Sequence, residues 1–387
     1  MRNKCKNLFI FIDSLPYYYR EKMSFVSSYP YHVKIKPGLG YSINLYWEIF
    51  GGLKPDKIGF FNTWGYDPLN APLKRIKLAS PLLKHIKRGS ILYRVLRKLL
   101  CNILGMEAFG LPLETLCYFK KSGRSIFSEK SSLQSNNLFH GLAAEDLNLL
   151  SNREIWDVIL PAGEKQGRRD ESVYLQAMKA MESVSDKSLL LWFPDLDGIG
   201  HGFGVGSKEY QQRIDNLDMW IEELKNKAIK IHGFDDVIIF SDHGMSNVSN
   251  EISLVLENKL GKTGDKTYDY FLDSTILRAW INNPSYYEPL LDHLKSLHIG
   301  TVLDYTYREQ NGICSKVFGD IVFILNEGSI FSPTTLSVKT KDSVKAMHGY
   351  LPELESQKGI FLSFRHKLVN NDQIGTSGLH QVLKGII

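Results

Sequence analysis

The chain has 387 residues, 43% of them hydrophobic, enough to bury at least one large core, and its length favours one catalytic unit carrying insertions over a single compact domain. Its 47 basic and 42 acidic residues leave a formal charge of +5, a mild excess that suits anionic substrates and does not demand a nucleic acid duplex as partner. Four widely spaced cysteines, Cys5, Cys101, Cys117 and Cys314, form no C-x-x-C pair, which excludes a small disulfide scaffold and favours free thiols in a reducing compartment.

The first seven residues are basic and lead into Leu8-Phe9-Ile10-Phe11-Ile12. That apolar run is too short for a signal peptide, and Asp13 ends it. Nowhere do about 18 apolar residues follow one another, so no membrane-spanning helix is expected. The expectation is a soluble, cytoplasmic protein. Leu8–Ile12 itself reads as a strand buried on both faces of a parallel sheet, with Asp13 at its carboxyl end.

Next comes the breaker-rich loop Pro37-Gly38-Leu39-Gly40-Tyr41, which runs into Ser42 and an apolar stretch ending at Gly51-Gly52. Ser42 is expected to open a helix, where free backbone N–H groups and the positive end of the dipole favour a phosphoryl group and a developing alkoxide. A simple N-cap serine gives the same pattern.

From about Tyr66 to Leu150 the pattern loosens, and an inserted, mainly helical segment is expected. Within it, Ile91 to Leu104 places Ile91, Leu92, Val95, Leu96, Leu99, Leu100, Ile103 and Leu104 at helical spacing, with Arg94, Arg97 and Lys98 elsewhere on the wheel. Two arrangements are open: peripheral contact with an anionic membrane surface through 91–104, or packing on the protein's own core, which is the commoner one.

The alternation then resumes. Glu171 to Val184 and Glu209 to Ala228 read as helices, and Leu189 to Phe193 and Val237 to Phe240 as buried strands, the order of a doubly wound α/β fold with a mostly parallel sheet and helices on both faces. Asp197 and Asp242 follow those strands at the edge where such sheets bind ligands. A second excursion, about Asp265 to Val338, reads as a small α+β cap, and Ile360 to Phe364 as a final strand. The expected division is a core of 1–65, 151–264 and 339–387, with insertions at 66–150 and 265–338.

The strand ends carry the chemistry. In Asp197-Gly198-Ile199-Gly200-His201 a carboxylate and an imidazole flank two glycines, which are expected to bend the backbone tightly beside a ligand. Asp242-His243-Gly244 and His348-Gly349 add further donors. With Asp13 they make three carboxylates and three imidazoles, a set that suits Zn²⁺ and admits Mn²⁺.

The order Asp13, Ser42 followed by Gly52-Leu53-Lys54-Pro55-Asp56-Lys57-Ile58-Gly59, Asp197 with His201, Asp242-His243, and His348 resembles the alkaline phosphatase superfamily, and within it the type I phosphodiesterase and nucleotide pyrophosphatase branch. The resemblance spans residues 8 to 364 in outline, and its most specific parts are Asp-x-x-x-His and Asp-His-Gly. It implies one metal site from Asp197, His201 and His348, and a second from Asp13, Asp242, His243 and the Ser42 oxygen. Two dications about 4 Å apart could then activate Ser42 and stabilise the departing oxygen, through a covalent phosphoseryl intermediate.

The chain departs from the branch where Thr-Gly becomes Gly51-Gly52 and His-Gly becomes Ile58-Gly59. For the phosphate-binding Asn of the branch, Asn62 is the candidate, although an ungapped count falls on Thr63. Ser42-Ile43-Asn44-Leu45-Tyr46 lacks the C/S-x-P-x-R context of sulfatases. The expected substrate is a phosphodiester or phosphoanhydride, of nucleotide or nucleotide-sugar type. Tyr41, Tyr46, Trp47, Phe60, Phe61 and Trp64 could stack a base or sugar, or be core, the reading preferred for Tyr46 and Trp47. A phosphomonoesterase or phosphotransferase on the same centre, and an inactive protein that binds a phosphorylated glycan or lipid, are the alternatives.

Overall fold

Leu8–Ile12 falls within the strand Asn7–Ile12, every residue of which is buried. It occupies the middle of a nine-stranded sheet. On one side Ser188–Phe193 and then Trp156–Ile159 pair in parallel, and the short strands Leu149–Ser151 and Ala143–Asp146 complete that edge as antiparallel neighbours. On the other side Asp236–Phe240 is parallel, and Gly359–Ser363, Tyr31–Lys36 and Gln373–Gly375 follow. Only Gly359–Ser363 and Leu149–Ser151 run against the rest, so the sheet is mostly parallel in strand direction. The computed structural model describes residues 6–83, 85–86, 90–104, 111, 113–127, 138–139, 143–146, 149–151, 156–161, 167–182, 187–332 and 343–387.

Alternation along each strand builds two cores. Leu8, Ile10 and Ile12, with Leu189, Leu191, Val237 and Ile239, pack against the helices Arg169–Ala180 and Lys208–Lys230 through Val173, Ala177, Ile214, Leu217, Ile221 and Leu224. The spacing of the last four is that of one helix face, and Ser207 caps their helix by accepting the Tyr210 N–H at 3.1 Å. Phe9 and Phe11 point the other way. Phe11 meets Trp192 at 4.3 Å and Phe50 at 5.7 Å, and so anchors the helix Ser42–Gly51 on the opposite face. Each such aromatic contributes roughly 1.5–3 kcal/mol by leaving water. This helix ends at Gly52, whose φ of 64° is left-handed.

The chain divides into two compact units, the first made of Met1–Leu53, Ile126–Asn247 and Leu351–Ile387, the second of Lys54–Ser125 and Val248–Tyr350. The nine-stranded sheet belongs to the first. The segment 66–150 is shared: its strands within 143–151 lie in the main sheet, too short to display any period in the sequence.

The second unit contains a four-stranded antiparallel sheet ordered Tyr268–Asp273, Ile276–Ile281, Ile321–Leu325, Gly300–Val302. One face packs Leu290 and Leu294 of the helix Tyr287–Ser296 against Tyr270, Leu277 and Phe323. Phe271 and Trp280 on the other face join Trp64, Leu113, Leu116 and Phe119. The helix Ile91–Leu104 packs on that cluster through Tyr93 and Cys101.

Candidate active site

Within the first unit, the carboxyl ends of two buried strands deliver Asp13 and the pair Asp242 and His243, and the helix on the opposite face of the sheet delivers Ser42 at its first position. Asn44 shapes the approach to Ser42. Its Oδ1 accepts the Tyr41 N–H at 3.0 Å and its Nδ2 donates to the Leu39 carbonyl at 2.9 Å, fixing the loop that the breakers open.

Ser42 Oγ lies 2.9 Å from His243 Nε2. The same nitrogen is 3.2 Å from Asp242 Oδ2 and 3.7 Å from Asp13 Oδ1. The other ring nitrogen, His243 Nδ1, sits 2.8 Å from the Gly244 carbonyl, which orients the ring. Asp242 Oδ1 accepts the Ser14 N–H at 3.2 Å, while Tyr46 donates its hydroxyl to Asp13 Oδ2 at 2.6 Å.

These acids are crowded and dry. Burial, then the charges of Asp242 and Asp197, push the Asp13 carboxyl well above the usual carboxylate range, against the pull of His243 and Tyr46. Burial, with Asp197 adding to it, pushes Asp242 up to about 7 although the Ser14 N–H favours its ionised form. Asp13 Oδ1 and Asp242 Oδ2 are buried with no hydrogen-bond partner, an arrangement that is costly unless a cation faces them. The ligand atoms of Asp13, Asp242 and His243 all lie within 4.8 Å of one another, a group that could hold a metal ion. Tetrahedral ligands at ~2.0–2.1 Å from an ion stand ~3.3 Å apart, close to the spacings around His243 Nε2. The residues present therefore fit a divalent metal.

Asp197 and His201 lie on the helix Asp195–Phe203, with His201 Nε2 3.3 Å from Asp197 Oδ1. The tight bend expected between them is absent: the segment is helical, and the four-residue spacing puts both side chains on one face. Gly200 serves packing instead, since a Cβ there would come within 2.3 Å of Met245 Sδ.

Asn62 and His348 belong to the second unit. His348 is buried just after the strand Ala346–Met347. The Asn62 amide is engaged at both ends: Nδ2 donates to Asp273 Oδ2 at 2.6 Å, and Oδ1 accepts from Arg278 Nη2 at 2.7 Å. Burial raises the Asp273 carboxyl to about 6, against Arg278 and Asn62. Of the aromatic residues considered for stacking, Trp47, Phe60, Phe61 and Trp64 are core. Tyr46 packs its ring on Phe11 and Trp192, in keeping with the core reading, and in addition its hydroxyl serves Asp13. Its signal was its place four residues after Ser42, one turn along the same helix face.

The family model for type I phosphodiesterase / nucleotide pyrophosphatase matches residues 156–351, just over half of the chain. The chain belongs to that family. This phosphodiesterase/nucleotide pyrophosphatase family member is accordingly a hydrolase of phosphodiester bonds, and the matched stretch includes Asp197, His201, Asp242, His243 and His348, whereas Asp13 and Ser42 precede it. Its fold is similar to that of murine ectonucleotide pyrophosphatase / phosphodiesterase 5, at 16% identity and a TM-score of 0.61, over 98% of this chain and 94% of that one. The inactive form of the murine protein in complex with AMP matches at 16% identity and a TM-score of 0.59, over 99% and 95%. The human protein gives 16%, 0.59, 98% and 94%. No curated protein matches the sequence.

Proposed function

We propose that this family member cleaves a nucleotide-type phosphodiester or phosphoanhydride by covalent catalysis at Ser42, with two divalent metal ions, Zn²⁺ or alternatively Mn²⁺. Asp13, Asp242, His243 and the Ser42 oxygen would hold one ion. Asp197, His201 and His348 would hold the other, with His348 assigned from its sequence motif. When bound, the ions would lower the pKa of the serine hydroxyl and neutralise charge on the phosphoryl oxygens and leaving group.

The observation that carries this reading is the 2.9 Å approach of Ser42 Oγ to His243 Nε2, beside the buried carboxylates of Asp13 and Asp242. Ser42 Oγ attacks phosphorus as its hydroxyl proton passes to solvent water. The P–O bond to the leaving group breaks, leaving the phosphoryl group on Ser42 Oγ. Water then attacks the same phosphorus and frees the serine. The helix Ser42–Gly51 begins at the nucleophile, so the positive end of its dipole favours the incoming anion. Asn62 would hydrogen-bond the phosphate only by exchanging its bond to Asp273. AMP in the murine relative's complex supports a nucleotide moiety as the substrate class.

The test is an acid quench during turnover of a dinucleoside polyphosphate, followed by peptide mass spectrometry. An adduct on Ser42 is expected. A phosphoryl adduct on another residue, or none under conditions that trap a burst, contradicts the assignment. Comparing para-nitrophenyl diester and monoester substrates then ranks the two ester classes.

A further inference from the structure

We infer that the helix Ile91–Leu104 and its basic surroundings form a docking surface for an anionic lipid bilayer. The helix turns Tyr93, Arg97 and Cys101 inward, where Arg97 bonds the Tyr93 hydroxyl at 2.8 Å. Leu92, Val95, Leu99 and Ile103 instead form a second apolar stripe beside the buried one, and with Ile91 their exposures run from 57% to 73%. An isolated exposed leucine needs no explanation, but five branched aliphatic side chains along one helix flank form a patch that water does not favour.

The charge distribution selects the occupant. Residues 68–106 contain nine Lys or Arg and no Asp or Glu. Removing them leaves 47 − 9 = 38 basic against 42 acidic residues, so the whole positive excess of the chain resides in this segment. Arg94 and Lys98 are exposed on the helix beside the apolar stripe, and Lys74 and Arg75 are exposed ahead of it. Lys77 is engaged with Asp265 at 2.9 Å. An apolar flank bordered by cations matches a lipid surface: the aliphatic groups enter the acyl boundary while Arg and Lys snorkel to anionic headgroups. No helix among the described residues is long and apolar enough to cross a membrane, so the contact is peripheral.

The test uses the full chain and sedimentation with large phosphatidylcholine vesicles, with and without roughly 30% phosphatidylglycerol. The protein should partition onto anionic vesicles, and roughly 0.5 M salt should weaken that binding. The double substitutions Val95→Asp with Leu99→Asp, and Arg94→Glu with Lys98→Glu, should each lower the partition coefficient at least ~10-fold, with hydrolysis of a soluble diester unchanged. Failure of the unsubstituted protein to bind anionic vesicles overturns the inference, as does binding of both variants at the level of the unsubstituted protein. A dimer in solution that the apolar substitutions dissolve, without vesicle binding, assigns the face to a second copy instead and also overturns it. If the aspartate pair lowers the unfolding temperature, Leu99→Ser at the same exposed position supplies the comparison.

Discussion

Tyr46 donates its phenolic hydrogen to Asp13 Oδ2 at 2.6 Å, leaving Asp13 Oδ1 turned toward His243. A carboxylate that ligates a metal with one oxygen is commonly held by such a bond on the other. Tyr46→Phe keeps the ring that packs on Phe11 and Trp192 and removes only the donor. Metal affinity is expected to fall by ~10–100-fold with little change in unfolding temperature, measured by competition with a chelating dye. Unchanged affinity would show that Asp13 needs no orientation.

Chelation should destabilise the protein, because burial and neighbouring carboxylates raise the proton affinity of Asp13 and Asp242 when no cation faces them. Treatment with EDTA is expected to lower the unfolding temperature by several degrees, through loss of ligand-linked stability. Asp242→Asn removes one of the repelling charges and should shrink that shift. A chelator effect as large in the variant as in the parent would place the stabilising ion elsewhere.

Asn44 is fully buried and holds the loop before Ser42 through two backbone partners. Asn44→Ala leaves the Tyr41 N–H and the Leu39 carbonyl without them, at a cost of about 1–3 kcal/mol in urea denaturation. Because the loop presents Ser42, kcat should fall further than substrate affinity. Equal stability and turnover would deny the loop any such constraint.

Away from the site, burial and then the neighbouring Asp195 push the Asp170 carboxyl up to about 7, against Arg213, whose Nη1 is 3.4 Å away. A folded pKa above the unfolded value means that the folded state binds the extra proton. The associated stability is therefore complete below about pH 4 and disappears as pH rises through 7. The expected contribution is on the order of a few kcal/mol across that window. Asp170→Asn should flatten this part of the stability–pH curve in chemical denaturation; an unaltered slope would assign it to another group.

The strands that carry the site were legible because they are covered on both faces. After a polar first residue, Asn7–Ile12, Ser188–Phe193 and Asp236–Phe240 are apolar to their ends, and each hands over to an acid within a few residues. Other elements gave weaker signals. Ala143–Asp146 and Leu149–Ser151 contain too few residues to show alternation, and Tyr31–Lys36 alternates near an edge with only Val33 and Ile35 buried. The helix Asp195–Phe203 was concealed by its glycines, which suggest a bend when read locally and allow close packing against Met245 in the folded chain. The Asn62 amide is engaged by Asp273 and Arg278, more than two hundred residues later, a pairing that no local pattern announces.

Ser42→Ala tests the proposed nucleophile most directly, with bound metal quantified by mass spectrometry and turnover measured on bis-para-nitrophenyl phosphate. The predicted result is a loss of at least ~10³-fold in kcat with His243, Asp13 and Asp242 still able to retain metal. Turnover equal to that of the parent protein, at equal metal content, would contradict covalent catalysis at Ser42.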